Sequence, residues 1–111
     1  MTDFLKQFKD KLDKLSNTSQ SIQSTSLWVI YHTKNYQKSV DVWKEEILRC
    51  SPDKVTTLFY LANDIIQNSR RKTQFFVDAF GVVLKENFGE IHSYFYHFNQ
   101  ENQGKRNKLL G

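Results

Sequence analysis

The 111-residue sequence contains one cysteine, one proline and four glycines, and each scarcity removes a class of protein. Cys50 has no partner for an internal disulfide, which fits a reducing compartment and excludes a cystine-stapled fold. It also leaves His32, His92 and His97 without the thiols of a structural zinc set. His92 and His97 stand five apart, off the i,i+3 and i,i+4 spacing that would align two ligands on one helix, so no metal is expected. Pro52 and four glycines are too few for the turns of a β-sandwich or barrel.

Long apolar runs are missing as well. None approaches the roughly 20 residues of a bilayer span, and "MTDFLKQFKDKLDKL" alternates charge with hydrophobe where a signal peptide would have an apolar core. The expectation is a soluble intracellular protein with no membrane partner. There is no GxGxxG, no GxxxxGK[ST] and no HExxH. Neither an enzyme nor a cofactor is expected, and no residue is assigned a catalytic role. Cys50 reads as a small buried hydrophobe beside a helix end rather than a nucleophile, and Glu45 and Glu46 as a solvated face.

Apolar residues make up 39% of the chain and aromatics 14%, enough for one core, and the length suits a single domain hiding roughly 60 to 70% of its unfolded surface. With turn residues scarce, the expected class is all-α. Phe4, Leu5, Phe8, Leu12 and Leu15 mark a first helix with Thr2 or Asp3 as its cap. Asn17 followed by Gln20 reads as a capping box opening a second helix through Ile22, Trp28, Val29 and Ile30 to about Lys34. A third helix, near Gln37 to Cys50, buries Val40, Trp43 and Ile47. Ser51 then caps a fourth, with Pro52 at its first position. A fifth packs Phe76, Phe80, Val83 and Leu84, and a sixth Ile91, Tyr94, Phe95 and Phe98. Beyond Gly104 a short basic segment resumes helical character at Lys105, too brief to stand alone and therefore read as a truncated element.

The fourth helix is the unusual one. In "LFYLANDIIQNSRRK", Leu58, Leu61, Ala62, Ile65 and Ile66 form one buried stripe. The opposite face carries Tyr60, Asn63, Asp64, Gln67, Asn68 and Arg71, although Asn and Asp are mediocre helix formers. At about 100° per residue, Tyr60, Asp64, Gln67 and Arg71 lie within roughly 60° of one another, flanked by Asn63 and Asn68. A phenol, a carboxylate, amides and a guanidinium in one strip can grip an extended polar peptide, and can equally be a solvated face or a helix contact.

"NTSQSIQSTSLWVIYHTK", "VDVWKEEI" and above all "LFYLANDIIQNSRRK" resemble the CID, the domain that binds the C-terminal domain of RNA polymerase II. The resemblance runs from about Leu15 to Phe88 and is nearest to the branch of regulation of nuclear pre-mRNA domain-containing proteins and yeast termination factors. It implies a right-handed superhelix of about seven to eight short helices, related to the VHS and ENTH folds. Residues 1–111 would then form one such domain lacking its C-terminal end. It implies nuclear localisation, and as ligand the Tyr-Ser-Pro-Thr-Ser-Pro-Ser heptads of the polymerase's largest subunit. The second-position serine would be phosphorylated and the peptide held between the second, fourth and seventh helices.

By the same resemblance Asp64 accepts a hydrogen bond from the heptad tyrosine, while Tyr60, Asn63 and Asn68 line the groove and Arg71 sits at its basic end. Asn17, Thr18, Ser19 and Gln20 match the polar start of the second helix, where unpaired amides meet the peptide. For Asn17 a capping role stands equally open. The family has an arginine before two leucines in its seventh helix. Here "KRNKLLG" puts Lys108 in that place, without arginine's bidentate fork, and Arg106 nearby as the alternative phosphate ligand.

A disordered, proline-rich ligand should bind each repeat modestly and gain from many repeats, with any oligomerisation supplied by sequence outside this chain. The implied role couples transcription to termination or 3′-end processing. Two other classes remain open. An RNA-binding helical module would need aromatics interleaved with Lys and Arg on the surface. A VHS- or ENTH-like trafficking adaptor would need a basic amphipathic first helix, whereas here Asp3, Asp10 and Asp13 interrupt Lys6, Lys9, Lys11 and Lys14.

Overall fold

The structure, a computed structural model, describes residues 2–87. The sixth helix, His92, His97, Arg106, Lys108 and the segment from Lys105 lie outside them. Helix α1 (Thr2–Lys14) is followed by α2 (Ser19–Tyr31), a single 3-10 turn (Thr33–Asn35), α3 (Tyr36–Arg49) and α4 (Pro52–Ser69). Helical conformation returns over residues 75–87, here α5. The described residues contain no strand, so the class is all-α. The chain divides into two units, Met1–Phe80 and Gly81–Gly111.

Within the first unit each helix turns one apolar stripe inward. Phe8 and Leu12 of α1, Val29 of α2, Val40 and Trp43 of α3, and Leu58, Leu61, Ala62 and Ile65 of α4 have no exposed surface. Phe76 and Phe80 of α5 are buried in the same way, and in the second unit Val83 and Leu84 are buried too. The most extensive helix pairing among the described elements is α2 with α4.

Trp43 fixes α3 on α4. Its indole Nε1 donates to the Leu58 carbonyl at 2.8 Å, in the interior of α4. A helical carbonyl already accepts from the amide four residues on, so the indole takes its second lone pair. Phe59 and Phe80 meet the same indole edge-on at 5.9 and 5.2 Å. A second aromatic group joins α1 to α2: Trp28 stacks on Phe4 at 5.1 Å and on Phe8 at 5.7 Å, with the Lys11 ammonium 5.2 Å from its ring.

The helix ends correct several sequence expectations. Helix α1 already includes Thr2 and Asp3, so neither precedes it as a cap. The cap of α2 is Thr18, with extended backbone and a side chain that accepts from the Ser21 amide at 3.2 Å. Asn17 is one residue too early, and Ser21 holds the third helical position in place of Gln20. Ser21 Oγ in turn accepts from the Ser16 amide at 3.0 Å, so the reciprocal bond of a capping box survives over a wider span. Helix α2 stops at Tyr31, short of Lys34, because the backbone of His32 leaves helical geometry and its amide bonds back to Trp28 and Val29. Ser51 does precede α4 with Pro52 at the first position, but its side chain makes no capping bond.

Glu46 also departs from expectation. Glu45 is exposed, but Glu46 is buried and its Oε1 accepts from Arg49 Nη2 at 2.7 Å. A step of one residue along α3 turns the side chain about 100° toward the core, and the arginine one turn later compensates the carboxylate.

Two stability outcomes follow. Trp43→Phe removes the indole bond and part of a buried ring, and should lower the unfolding free energy by about 2 kcal/mol in urea melts followed by circular dichroism. Thr18→Ala should cost about 1 kcal/mol, whereas Asn17→Ala should leave the midpoint nearly unchanged.

Candidate peptide-binding face

The candidate site begins with the rotation of α4. Its stripe from Leu58 to Ile66 is buried, so the residues on the far side of the helix must face outward. Tyr60 is 55% exposed, a high value for a tyrosine that could have packed. Asp64, one turn on, is half-buried, as are Asn63 and Gln67.

Among the described residues no hydrogen bond or ion pair engages the Asp64 carboxylate; only its backbone carbonyl is used, accepting from Asn68 Nδ2 at 2.9 Å. That bond spends Asn68's amide on its own helix and holds the side chain along the α4 surface. Asn63 Oδ1 is buried without a hydrogen-bond partner. An unpaired buried carbonyl oxygen is costly, and it is the kind of acceptor an arriving backbone amide would satisfy.

The strip is shorter than the sequence suggests. Helix α4 ends at Ser69, so Arg71 lies in the turn beyond it, exposed and off the helical register of Tyr60, Asp64 and Gln67. The chain turns there because the Lys72 and Thr73 amides both bond back to the Ser69 carbonyl, at 2.9 and 3.0 Å. Arg70 caps the helix through its amide to Ile66, and its guanidinium is half-buried with Nη1 lacking a partner. The stripe-and-strip reading passes over Arg70, because a helical wheel gives no signal for a cation at a helix terminus.

On α2, Asn17, Thr18, Ser19 and Gln20 are all exposed. Thr18 Oγ1 is occupied by the Ser21 amide and lies 3.0 Å from Ser16 Oγ. The first intrahelical bond runs from Ile22 to the Thr18 carbonyl, so the Ser19 and Gln20 amides belong to the unpaired first turn. The structure therefore brings Tyr60, Asn63, Asp64 and Asn68 onto one helix beside α2. Arg106 and Lys108 fall outside the described residues. No group of three metal-ligating side chains occurs among the described residues.

Comparison with known proteins bears on the same residues. A family model described as the CID domain matches residues 6–111. Regulation of nuclear pre-mRNA domain-containing protein 1A from Homo sapiens is 45% identical over 83 residues, covering 75% of this chain and 27% of that protein. Protein 1B of the same series, also from Homo sapiens, is 43% identical over 81 residues, covering 73% of this chain and 25% of its own length. CID domain-containing protein 1 from Caenorhabditis elegans is 34% identical over 90 residues, covering 79% of this chain and 29% of itself. The chain thus spans about a quarter of the length of these relatives. With an all-helical architecture, the "YLANDIIQNS" helix carrying its polar face outward, and a family match over almost its whole length, the chain belongs to the CID family.

Proposed function

We propose that this chain is a binding module for the C-terminal heptad repeats of RNA polymerase II, favouring repeats phosphorylated on the second-position serine. It would act in the nucleus in transcription and RNA processing, at termination or 3′-end formation, and would not be an enzyme. Residues 1–111 would serve as one domain built as a right-handed superhelix, the arrangement known for the family.

The observation that carries the reading is the Asp64 carboxylate, presented beside the exposed Tyr60 and engaged by no side chain of the described residues. A half-buried carboxylate left open in this way suits a phenol donor, here the heptad tyrosine. The unpaired Asn63 oxygen supplies an acceptor for peptide backbone, and the first-turn amides of α2 supply donors. Arg71 would stand at the basic end, and Lys108 or Arg106 would hold the phosphate.

The trafficking-adaptor alternative has less support. The apolar stripe of α1 is committed to the core through Phe8 and Leu12, continued by Leu15 just beyond the helix. Lys14 is paired with Asp10 at 3.1 Å. Little amphipathic surface is left for a lipid interface.

In an NMR titration with unmodified and singly phosphorylated heptad peptides, the second-serine phosphopeptide should bind best, shifting residues 17–20 and 60–71. Equal shifts by all peptides, or shifts confined to α1, would sink the proposal. Asp64→Ala should weaken peptide binding by about 1.5 to 3 kcal/mol, the scale of a hydrogen bond to a charged group, and leave the melting temperature nearly unchanged. Charge reversal at Lys108 or Arg106 should abolish the preference for phosphopeptide while retaining the weak binding of unmodified peptide, as read by anisotropy. A preference that survives both reversals would relocate the phosphate to Arg70, Arg71 and Lys72.

A further inference from the structure

The start of α5 meets the start of α3 at a pair of aromatic rings. Phe75 stacks on Tyr36 with ring centroids 4.9 Å apart and planes inclined by 19°. Phe76 is buried and meets the same tyrosine edge-on at 6.3 Å. Phe75 differs from it in keeping 52% of its surface exposed. An aromatic pair with one ring half in solvent is an open stacking platform.

The stacked pair also joins two segments of one sign. Residues 32–40, "HTKNYQKSV", and residues 65–77, "IIQNSRRKTQFFV", contain no Asp or Glu. The first contributes Lys34 and Lys38 and the second Arg71 and Lys72, all exposed, with Arg70 half-buried and one of its guanidinium nitrogens unpartnered. Among the described residues, none of these five cations forms a salt bridge. The nearest carboxylate in sequence on the α3 side, Asp41, accepts from Gln37 Nε2 at 3.0 Å.

We infer that this junction, with Phe75 over Tyr36 at its centre and Lys34, Lys38, Arg71 and Lys72 on the two segments it joins, is a binding surface for single-stranded RNA. A chain with a phosphate at every residue and a flat ring between phosphates matches an exposed aromatic set among unpaired cations. A phosphopeptide offers isolated charges and no comparable succession of rings. A duplex offers charge but hides the faces of its bases. The surface adjoins the basic end of the proposed peptide groove at Arg71, but its aromatic centre, Phe75 over Tyr36, uses none of the residues assigned to the peptide, and the inference does not depend on the peptide reading.

The test uses fluorescence anisotropy with three labelled probes: a single-stranded oligouridylate, an abasic ribose-phosphate oligomer of equal length, and the doubly repeated heptad phosphopeptide. Wild-type protein should bind the oligouridylate more tightly than the abasic oligomer. Phe75→Ala should weaken the oligouridylate about tenfold and leave the abasic oligomer unchanged. Phe75→Trp keeps a ring on Tyr36 and should retain binding, which separates stacking on RNA from damage to the fold. Lys34→Glu combined with Lys38→Glu should weaken both oligomers and spare the phosphopeptide. Equal wild-type affinity for the two oligomers, or equal loss of both in Phe75→Ala, would reduce the surface to nonspecific charge and overturn the inference. So would a lysine reversal that weakens the phosphopeptide as much as the RNA. Failure of the peptide to bind at all would leave the two oligomer arms intact.

Discussion

The bond from the Trp43 indole to the Leu58 carbonyl constrains more than the two helices it joins. Fixing one carbonyl of a helix against a rigid partner sets the rotation of that helix about its axis, and every other side chain follows at about 100° per residue. With Leu58 held in the core, Tyr60 lies about 200° away and Asp64 about 240°, so both are aimed outward. The ring faces and edges of Phe59 and Phe80 close around the indole and hinder its tilting. The aim of the polar face is thus set by a side chain held on the buried side of the helix.

Helix α2 is placed by a different device. Its own periodicity is weak, since Ser26 is buried as fully as Val29 while Leu27 is 64% exposed. Small polar residues at the buried positions Thr25 and Ser26 let α2 lie close along its neighbour, and Thr25 satisfies its hydroxyl locally by donating to the Ser21 carbonyl at 2.9 Å. Its C-terminal end is clamped from outside the pairing by the aromatic group of Phe4, Trp28 and His32, whose Nδ1 lies 2.8 Å from the Trp28 carbonyl. Close packing at one face and ring stacking at the other hold α2 in place.

These differences explain what could be read from the sequence. The stripe of α4, its start at Pro52, and the core positions Val40, Trp43, Ile47, Phe76 and Phe80 were legible because each repeats at helical spacing and has large apolar side chains. The polar face was legible by contrast with that stripe, and its expected ligand only through family resemblance. Helix ends were less legible. Asn17, Thr18 and Ser19 are all competent caps, and backbone conformation, which composition does not encode, selects Thr18. The end of α4 at Ser69 has no glycine or proline to mark it, so the strip was read on to Arg71, two residues past the helix end. The spacing of Phe76, Phe80, Val83 and Leu84 turns Phe76 inward and Phe75 outward, but nothing in the sequence pairs the exposed Phe75 with Tyr36, far away along the chain.

A helix can carry a face of poor helix formers only if something else holds it helical. Asn63, Asp64, Asn68 and Tyr60 each concede up to about 0.7 kcal/mol against alanine, roughly 2 kcal/mol together. On the opposite face Leu58, Leu61, Ile65 and Ile66 are buried, each contributing roughly 1.5 to 3 kcal/mol by removal from water. The larger quantity belongs to the packed stripe, so the outward positions are released from selecting for helicity and can be chosen for what they touch. That asymmetry accounts for the unpaired Asp64 carboxylate and for the buried, unsatisfied Asn63 oxygen. Either would be a defect on a helix whose stability came from its own surface, and both are tolerable on one fixed from beneath by the Trp43 bond and the core it closes.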